Sequence, residues 1–118
     1  MLNLELFRDA GDTRAFAAGE TIFLEGEEGR LMYVVLEGSV KLSVTGRAVE
    51  TVGRGGAFGE MALIDAAPRS ATAMAASACR LAPISKERFN ALVKEDPAFA
   101  LEIMGVMAAR LRRMDRRI

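Results

Sequence analysis

The chain contains one stretch in which glycine, a carboxylate and an arginine follow each other closely: Phe58-Gly59-Glu60-Met61-Ala62-Leu63-Ile64-Asp65-Ala66-Ala67-Pro68-Arg69-Ser70-Ala71-Thr72. Gly59, preceded by Gly55 and Gly56, lets the backbone approach a ligand closely. A short helix predicted over residues 60–64 would open with unpaired backbone N–H groups, which suit an anion. These features predict a turn that can hold a negatively charged group.

Three side chains of this stretch suit a sugar phosphate. Arg69 carries a permanent, planar fork of donors that matches phosphate geometry, and Ser70 adds a hydroxyl. Glu60 accepts hydrogen bonds only, as sugar hydroxyls require. A second interpretation of the same residues stays open, in which a glycine turn is followed by a surface Arg69–Glu60 ion pair. Such an exposed pair contributes only about 0–1 kcal/mol.

The residues around this stretch predict β-structure. After a helical turn over residues 2–7, we expect strands over residues 14–17, 21–24, 31–36, 39–44, 47–52, 71–76 and 78–84. In the fourth of these, Val40, Leu42 and Val44 should face inward, and Lys41 and Ser43 outward. Short, glycine-containing connections favour antiparallel pairing. Many short strands of this kind predict a jelly-roll-like barrel or sandwich.

The last third of the chain predicts two helices. Ser85 is a suitable N-cap for the first, and Asp96 followed by Pro97 is a suitable start for the second. One face of the second helix carries Phe99, Ile103, Met107, Leu111 and Met114, and a broader surface adds Leu101, Met104, Val106 and Ala108. A helix that is apolar this far round needs cover on two sides. The barrel covers one side. The other side is either covered by a second subunit or left exposed as a tail.

Length, charge balance and cysteine content limit which classes of protein this chain can belong to. The length of 118 residues suits one domain, and 16 basic residues balance 16 acidic ones, which disfavours whole-surface attraction to nucleic acid or membrane. Cys79 is the one cysteine, so no internal disulfide forms, and we expect a buried, inert thiol. Charged residues interrupt the N-terminal apolar run, and no stretch reaches the roughly 20 apolar residues of a spanning helix. We therefore expect a cytoplasmic protein.

The absence of histidine disfavours most catalytic and metal chemistry. Histidine is the commonest general base and the commonest metal ligand, and this sequence has none. A single cysteine also excludes an iron–sulfur cluster held within one chain. We therefore expect no catalytic residue and no metal, and a cupin-type enzyme on a similar roll is strongly disfavoured.

The C-terminus is locally basic, with five arginines against Asp115: Arg110, Arg112, Arg113, Arg116 and Arg117. Cations suit the C-terminal end of a helix dipole, so a solvated helix end is the simplest interpretation. A contact to an acidic partner is a second interpretation. A third is a lid over an anionic ligand, for which Arg110 and Arg113 are the candidates.

The stretch Phe58–Thr72 resembles the phosphate-binding cassette of the cyclic nucleotide-binding domain family. The segments 19–29 and 32–38 resemble the early strands of that family, so the resemblance covers roughly residues 16–114. It implies a mainly β protein with C-terminal helices. The expected architecture is an eight-stranded antiparallel β-roll over 14–84, with a short cassette helix, and two C-terminal helices within 85–118, all in a single domain over 1–118.

The resemblance also implies a ligand and a set of site residues. Glu60 would bind the ribose 2′-hydroxyl and Arg69 the cyclic phosphate, and the full expected set is Gly59, Glu60, Met61, Ala62, Arg69, Ser70 and Ala71. The ligand, bound without cleavage, would be cyclic AMP, with cyclic GMP left open because Ser70 suits either base. In this family the last helix usually acts as a lid over the base, and in the bacterial catabolite-activator type it forms the dimer seam, which implies a homodimer through residues 97–116.

Three departures from the family pattern modify this expectation. Residues 9–13 are too short and polar for the usual long N-terminal helix, and the last helix lacks a serine or threonine pair suited to adenine. The sequence ends at Ile118 without a DNA-binding domain. We therefore expect a sensor module that acts on a separate, unidentified effector protein. The alternative is a ligand-free dimerisation module of the same fold.

Overall fold

Eight strands, a 3₁₀ turn and three helices form within residues 2–7, 12–65 and 67–115, which this computed structural model describes. The strands are β1 (Arg14–Phe16), β2 (Thr21–Phe23), β3 (Met32–Glu37), β4 (Val40–Val44), β5 (Arg47–Val52), β6 (Ala57–Phe58), β7 (Thr72–Ala75) and β8 (Cys79–Ile84). The 3₁₀ turn spans Leu4–Phe7, and the helices are α1 (Met61–Ile64), α2 (Lys86–Glu95) and α3 (Ala98–Asp115). Residues 9–13 are predicted to be too short and too polar for a long helix, and residues 9–11 of this segment lie outside the described residues.

The strands build two four-stranded sheets. Their orders are β1-β8-β3-β6 and β2-β7-β4-β5, and every described pairing is antiparallel. Consecutive strands often lie in different sheets, so the chain crosses repeatedly between them, as in a jelly roll. This arrangement confirms the predicted eight-stranded antiparallel roll with C-terminal helices.

Two apolar clusters explain why β3 is apolar along its length. Met32 and Val34 pack in a cluster that includes residues of the N-terminal turn, α2 and α3. Tyr33 and Val35 face the opposite way and pack in a cluster formed by strands of both sheets. A strand buried on both faces has no polar side, so its sequence shows no alternation.

The alternation predicted for β4 is confirmed with one exception. Val40 and Leu42 are buried, Val44 is half-buried and Lys41 is exposed. Ser43 was expected to be exposed but is half-buried. The pairing of β4 with β5 shifts register between Leu42 and Ser43, and such an irregularity turns side chains away from strict alternation.

The turn between β3 and β4 requires glycine at position 38. Gly38 has a φ of 81°, and a Cβ added there would lie 2.2 Å from the carbonyl oxygen of Ala78. We expect Gly38→Ala to lower the free energy of unfolding by about 2–5 kcal/mol, because strained φ and overpacking add together. Urea denaturation measures this loss.

Gly46 provides a matched control for this prediction. It also has a φ of 81°, but an added Cβ meets nothing within 4 Å. Gly46→Ala should therefore cost only the conformational strain, about 1–2 kcal/mol. Equal losses in the two variants would show that the contact with Ala78 is unimportant.

Helices α2 and α3 start within one residue of the predicted positions. The Ser85 hydroxyl accepts a hydrogen bond from the Arg88 N–H at 3.1 Å, and Asp96 Oδ1 accepts one from the Ala98 N–H at 3.2 Å. Among the described residues, no helix is long and apolar enough to cross a membrane.

The apolar face predicted for α3 is only partly buried. Phe99 and Ile103 are buried and Met107 is half-buried, which confirms the prediction over the first turns. Leu111 was expected on the same face but is 62% exposed. Arg110 contacts the roll at this level, so the neighbouring Leu111 points elsewhere. The side chain of Met114 lies outside the described part of the chain.

Candidate functional site

The cassette stretch begins with a tight turn between β6 and α1. Gly59 follows β6 with a φ of 78°, a conformation that favours glycine. The Ala62 N–H donates to the Gly59 carbonyl at 3.2 Å, and the Leu63 N–H to the Glu60 carbonyl at 3.1 Å. The helix therefore begins at Met61, one residue later than predicted, and the N–H of Ala62 is already bonded within the turn.

Arg69 lies inside the protein rather than on its surface. Its side chain is 9% exposed, with Nη1 donating to the Gly59 carbonyl at 3.3 Å and Nη2 to the Leu31 carbonyl at 2.8 Å. The Arg69 Nε is buried and has no hydrogen-bond partner among residues 2–7, 12–65 and 67–115. Burial lowers the pKa of the Arg69 guanidinium from its ordinary value, with Tyr33 and Glu27 acting in the opposite direction.

The buried Arg69 cation has no counter-ion within the part of the chain that the structure describes. Among the residues that the structure describes, no carboxylate forms an ion pair with Arg69, whose bonded partners are backbone carbonyls. Burial of an unpaired charge is costly, and the cost falls when an anion joins it. Among the described residues, Arg69 therefore keeps an uncompensated charge and an unused Nε–H donor.

Glu60 is also buried, but its partner comes from the last helix. The side chain is 5% exposed, and its Oε1 accepts a hydrogen bond from Arg110 Nη1 at 2.6 Å. The alternative prediction of a surface Arg69–Glu60 ion pair is wrong, because both side chains are buried and Glu60 pairs with Arg110.

Arg110 ties α3 to three groups of the roll. Besides Glu60, it donates to the Ala57 carbonyl at 2.6 Å and to both carboxylate oxygens of Glu50, at 2.8 and 3.1 Å. Arg113 Nη1 also lies 3.1 Å from Glu50 Oε1. Of the two predicted lid arginines, Arg110 contacts a cassette residue directly and Arg113 reaches only Glu50. Arg116 and Arg117 lie outside the described residues.

Glu50 is a site residue that sequence reasoning missed. It lies on β5 opposite Leu42, and its side chain is 15% exposed. The available signal was its place two residues before Val52, which is buried, because alternate residues of a strand share a face. A carboxylate on an apolar face indicates a partner from another element.

The cluster of Glu50, Arg110 and Arg113 should make stability depend on pH. Burial by itself raises the pKa of the Glu50 carboxyl, but hydrogen bonds and charges from Arg110 and Arg113 together lower it below its ordinary value of 4.5. A lowered carboxyl pKa stabilises the fold above the unfolded pKa, and this stabilisation is lost as pH falls through the folded pKa. We expect Glu50→Gln to cost about 1–3 kcal/mol at neutral pH.

Urea denaturation of the wild type and Glu50→Gln at a series of pH values checks this sign. The difference in unfolding free energy should be largest above pH 4.5, the ordinary pKa of the carboxyl, and should shrink as pH falls below it towards the lowered pKa of the folded chain, because Glu50 is then progressively protonated. A difference that stays constant over this range would contradict the role given to the Glu50 charge.

The remaining predicted residues have mixed exposure. Met61 and Ser70 are exposed, and Ala62 and Ala71 are half-buried. Tyr33 is buried and stacks on Phe58 with ring centroids 5.4 Å apart, so it is a core residue. Cys79 is buried as expected, and burial raises the pKa of its thiol.

A pocket of about 370 Å³ lies beside the cassette helix α1. It is lined by Glu28, Gly29, Arg30, Ala62, Leu63, Ile64, Asp65 and Lys86. Of the predicted site residues, only Ala62 lines it. Arg69 and Glu60 are both next to Gly59, whose carbonyl accepts a hydrogen bond from Arg69 Nη1 and which directly precedes Glu60.

Comparison with known proteins supports the resemblance seen in the sequence. A family model for the cyclic nucleotide-binding domain matches residues 13–96. The cyclic AMP receptor protein of Thermus thermophilus is 35% identical over 107 residues, which cover 86% of this chain and 50% of that protein. The chain spans about half the length of the curated relatives it matches.

Solved structures share the fold. The catabolite activator protein of Thermus thermophilus has a TM-score of 0.78 at 30% identity, covering 95% of this chain and 60% of that chain. A chain solved for a cyclic-GMP-dependent signalling pathway that regulates bacterial phytopathogenesis has a TM-score of 0.77 at 31% identity, with coverages of 92% and 89%. The cassette residues, the two-sheet roll and these matches agree, and the chain belongs to the cyclic nucleotide-binding domain family.

Proposed function

We propose that this chain is a regulatory module that binds a 3′,5′-cyclic nucleotide, first of all cyclic AMP, without chemical change. The observation that carries the proposal is the buried Arg69 guanidinium beside the Gly59 turn, which has no carboxylate partner and an unpartnered Nε among the residues that the structure describes. The name of the Thermus relative, a cyclic AMP receptor protein, supports cyclic AMP as the ligand. The free thiol of Cys79 supports a cytoplasmic location.

The expected contacts are those that the family resemblance implies, and the chemistry of each group suits them. Arg69 would pair with the cyclic phosphate, helped by backbone groups near Gly59, Ala62, Ser70 and Ala71, and the Ser70 hydroxyl would contact either the phosphate or the base. Glu60 would accept a hydrogen bond from the ribose 2′-hydroxyl. Its Oε1 already accepts one from Arg110, but a carboxylate has about four lone-pair sites, so acceptor capacity remains.

Helix α3 is the element that would report ligand binding to an effector protein. Arg110 joins α3 to the Glu60 carboxylate, so a sugar that engages Glu60 acts on the same contact that holds the helix. The size of any such response is limited by the difference in ligand affinity between the two helix positions.

Thermal denaturation against a panel of nucleotides tests this function. Cyclic AMP and cyclic GMP are compared with 5′-AMP and 2′,3′-cyclic AMP as linear and isomeric controls. Saturating ligand should stabilise the fold by about 2.7 kcal/mol at one hundred times its Kd. The nucleotide that raises the Tm more, cyclic AMP or cyclic GMP, carries the preferred base. No rise in Tm with either nucleotide would contradict the proposal.

A homodimer through residues 97–116 is the second candidate function, favoured by large apolar side chains that α3 leaves exposed. Leu101, Met104 and Leu111 are 69%, 56% and 62% exposed. Apolar surface of this kind on a helix marks an interaction site. We expect Leu111→Glu to convert a dimer to a monomer in sedimentation, because it places a charge in the proposed seam.

Nucleotide binding by the same variant separates the two functions. A monomeric Leu111→Glu that still binds cyclic nucleotide would show that the interface and the ligand site are separate. Thr51→Glu, which adds the same charge at an exposed position of β5, is the control and should remain a dimer. A wild-type protein that sediments as a monomer would contradict the dimer.

A further inference from the structure

The guanidinium of Arg69 is enclosed by four groups, which we call the Arg69 slot. The Phe23 ring lies against it, with 3.9 Å between the Arg69 Cζ and the ring centroid. Carbonyl oxygens of Leu31 and Gly59 bond to its two terminal nitrogens. Gly29 completes the slot, because a Cβ added there would lie 2.1 Å from the Arg69 Nε.

Phe23 is directed into the slot by an irregularity in its strand. The pairing of β2 with β7 shifts register between Thr21 and Phe23. Such bulges change the direction of a side chain and recur beside functional sites. The ring is then fixed by two others, because its centroid lies 6.2 Å from that of Tyr33 and 5.9 Å from that of Phe58.

An aromatic ring attracts a cation and leaves its charge available to an anion, whereas a carboxylate would not leave it available. The face of the ring attracts the guanidinium, and this attraction strengthens when the pair is desolvated. Because the ring is neutral and accepts no strong hydrogen bond, it leaves the charge and the Nε donor of Arg69 available to an anion. A carboxylate in the same place would compete with a phosphate for both.

We propose that Phe23 is a positioning residue that fixes the plane of the Arg69 guanidinium, so that its uncommitted N–H groups meet the anion. The consequence for nucleotide binding rests on the proposed function, whereas the fixed guanidinium is a property of the free protein. The two claims are therefore tested by different measurements.

The first measurement is NMR of the Arg69 Nε–H group in the ligand-free protein. Arg69→Lys assigns the resonance by removing it. The Phe23 ring current should displace the proton upfield, Phe23→Tyr should keep that displacement, and Phe23→Leu should abolish it. A resonance unchanged in Phe23→Leu would overturn the proposal, whether or not the protein binds a cyclic nucleotide.

The second measurement is the affinity for cyclic AMP by titration calorimetry. Phe23→Leu should weaken binding roughly tenfold, and Phe23→Tyr should stay within about threefold of the wild type. Phe89→Leu is the matched control, because it removes a ring pair with Phe99 in the other cluster. It should lower thermal stability to a similar degree without changing the affinity.

A double-mutant cycle separates positioning from general destabilisation. In an Arg69→Lys background the flat guanidinium is absent, so Phe23→Leu should have no further effect on affinity. Fully additive losses would overturn the proposal. If the wild type binds no cyclic nucleotide, the proposed function fails and the NMR result alone decides the role of Phe23.

Discussion

Arg69→Gln is expected to weaken cyclic nucleotide binding by about 2–5 kcal/mol, which corresponds to roughly 30-fold to 4,000-fold in Kd. Glutamine keeps much of the length and some hydrogen bonding, but it removes the positive charge that faces the phosphate. Since Arg69 is buried and has no carboxylate partner among the described residues, the bound anion would be its main counter-ion. Loss of this charge should therefore affect binding more than loss of any other single side chain.

Arg69→Lys tests the shape of the group rather than its charge. Lysine carries the charge as a point, without the planar fork that pairs with phosphate through two hydrogen bonds. We expect an intermediate loss of affinity for this variant. Titration calorimetry measures both variants, with circular dichroism to show that they fold.

Arg54→Gln is the control, because Arg54 is an exposed arginine in the turn before β6. It removes the same charge from the surface and should bind like the wild type. Arg69→Gln affinity within threefold of the wild type would contradict the phosphate role given to Arg69.

Phe99→Ala should be among the most destabilising substitutions outside the ligand site. The side chain is fully buried, and its ring lies 6.3 Å from that of Phe7 and 5.4 Å from that of Phe89. It thus joins α3 to the N-terminal turn and to α2. Truncation of a buried phenylalanine costs about 3–5 kcal/mol, because apolar burial is lost and a cavity forms.

This cost is a large part of the total stability of a small domain, which is about 5–15 kcal/mol. The expected fall in Tm is roughly 10–20 °C, measured by thermal or urea denaturation. Asn90→Ala, at an exposed position of α2, is the control and should change stability by less than about 0.5 kcal/mol. A loss below about 1 kcal/mol for Phe99→Ala would show that this cluster does not hold α3.

The strands and helix starts could be predicted because local rules determine them. Alternation and glycine turns placed seven strands, and the structure confirms them to within about one residue. Ser85 and Asp96 predicted both helix starts because capping depends on a few neighbouring residues. The strand β6 was missed because Ala57–Phe58 is too short for any periodicity to show.

The partners inside the site could not be predicted from the sequence. Arg69 bonds to backbone carbonyls, which every residue has, so no side-chain pattern reveals them. Arg110 meets Glu60 from 50 residues away, through the packing of α3 on the roll. The exposure of Leu111 follows from the same packing. The roles of Arg69 and Glu60 toward a nucleotide stay predictions from the residues and the resemblance.

A crystal structure of the chain grown with saturating cyclic nucleotide tests the central claim most directly. We predict electron density for the nucleotide at the Gly59 turn, with a phosphate oxygen in hydrogen-bond contact with the Arg69 guanidinium and the ribose 2′-hydroxyl on Glu60. An empty turn in such crystals, or a nucleotide bound where neither Arg69 nor Glu60 touches it, would contradict the account.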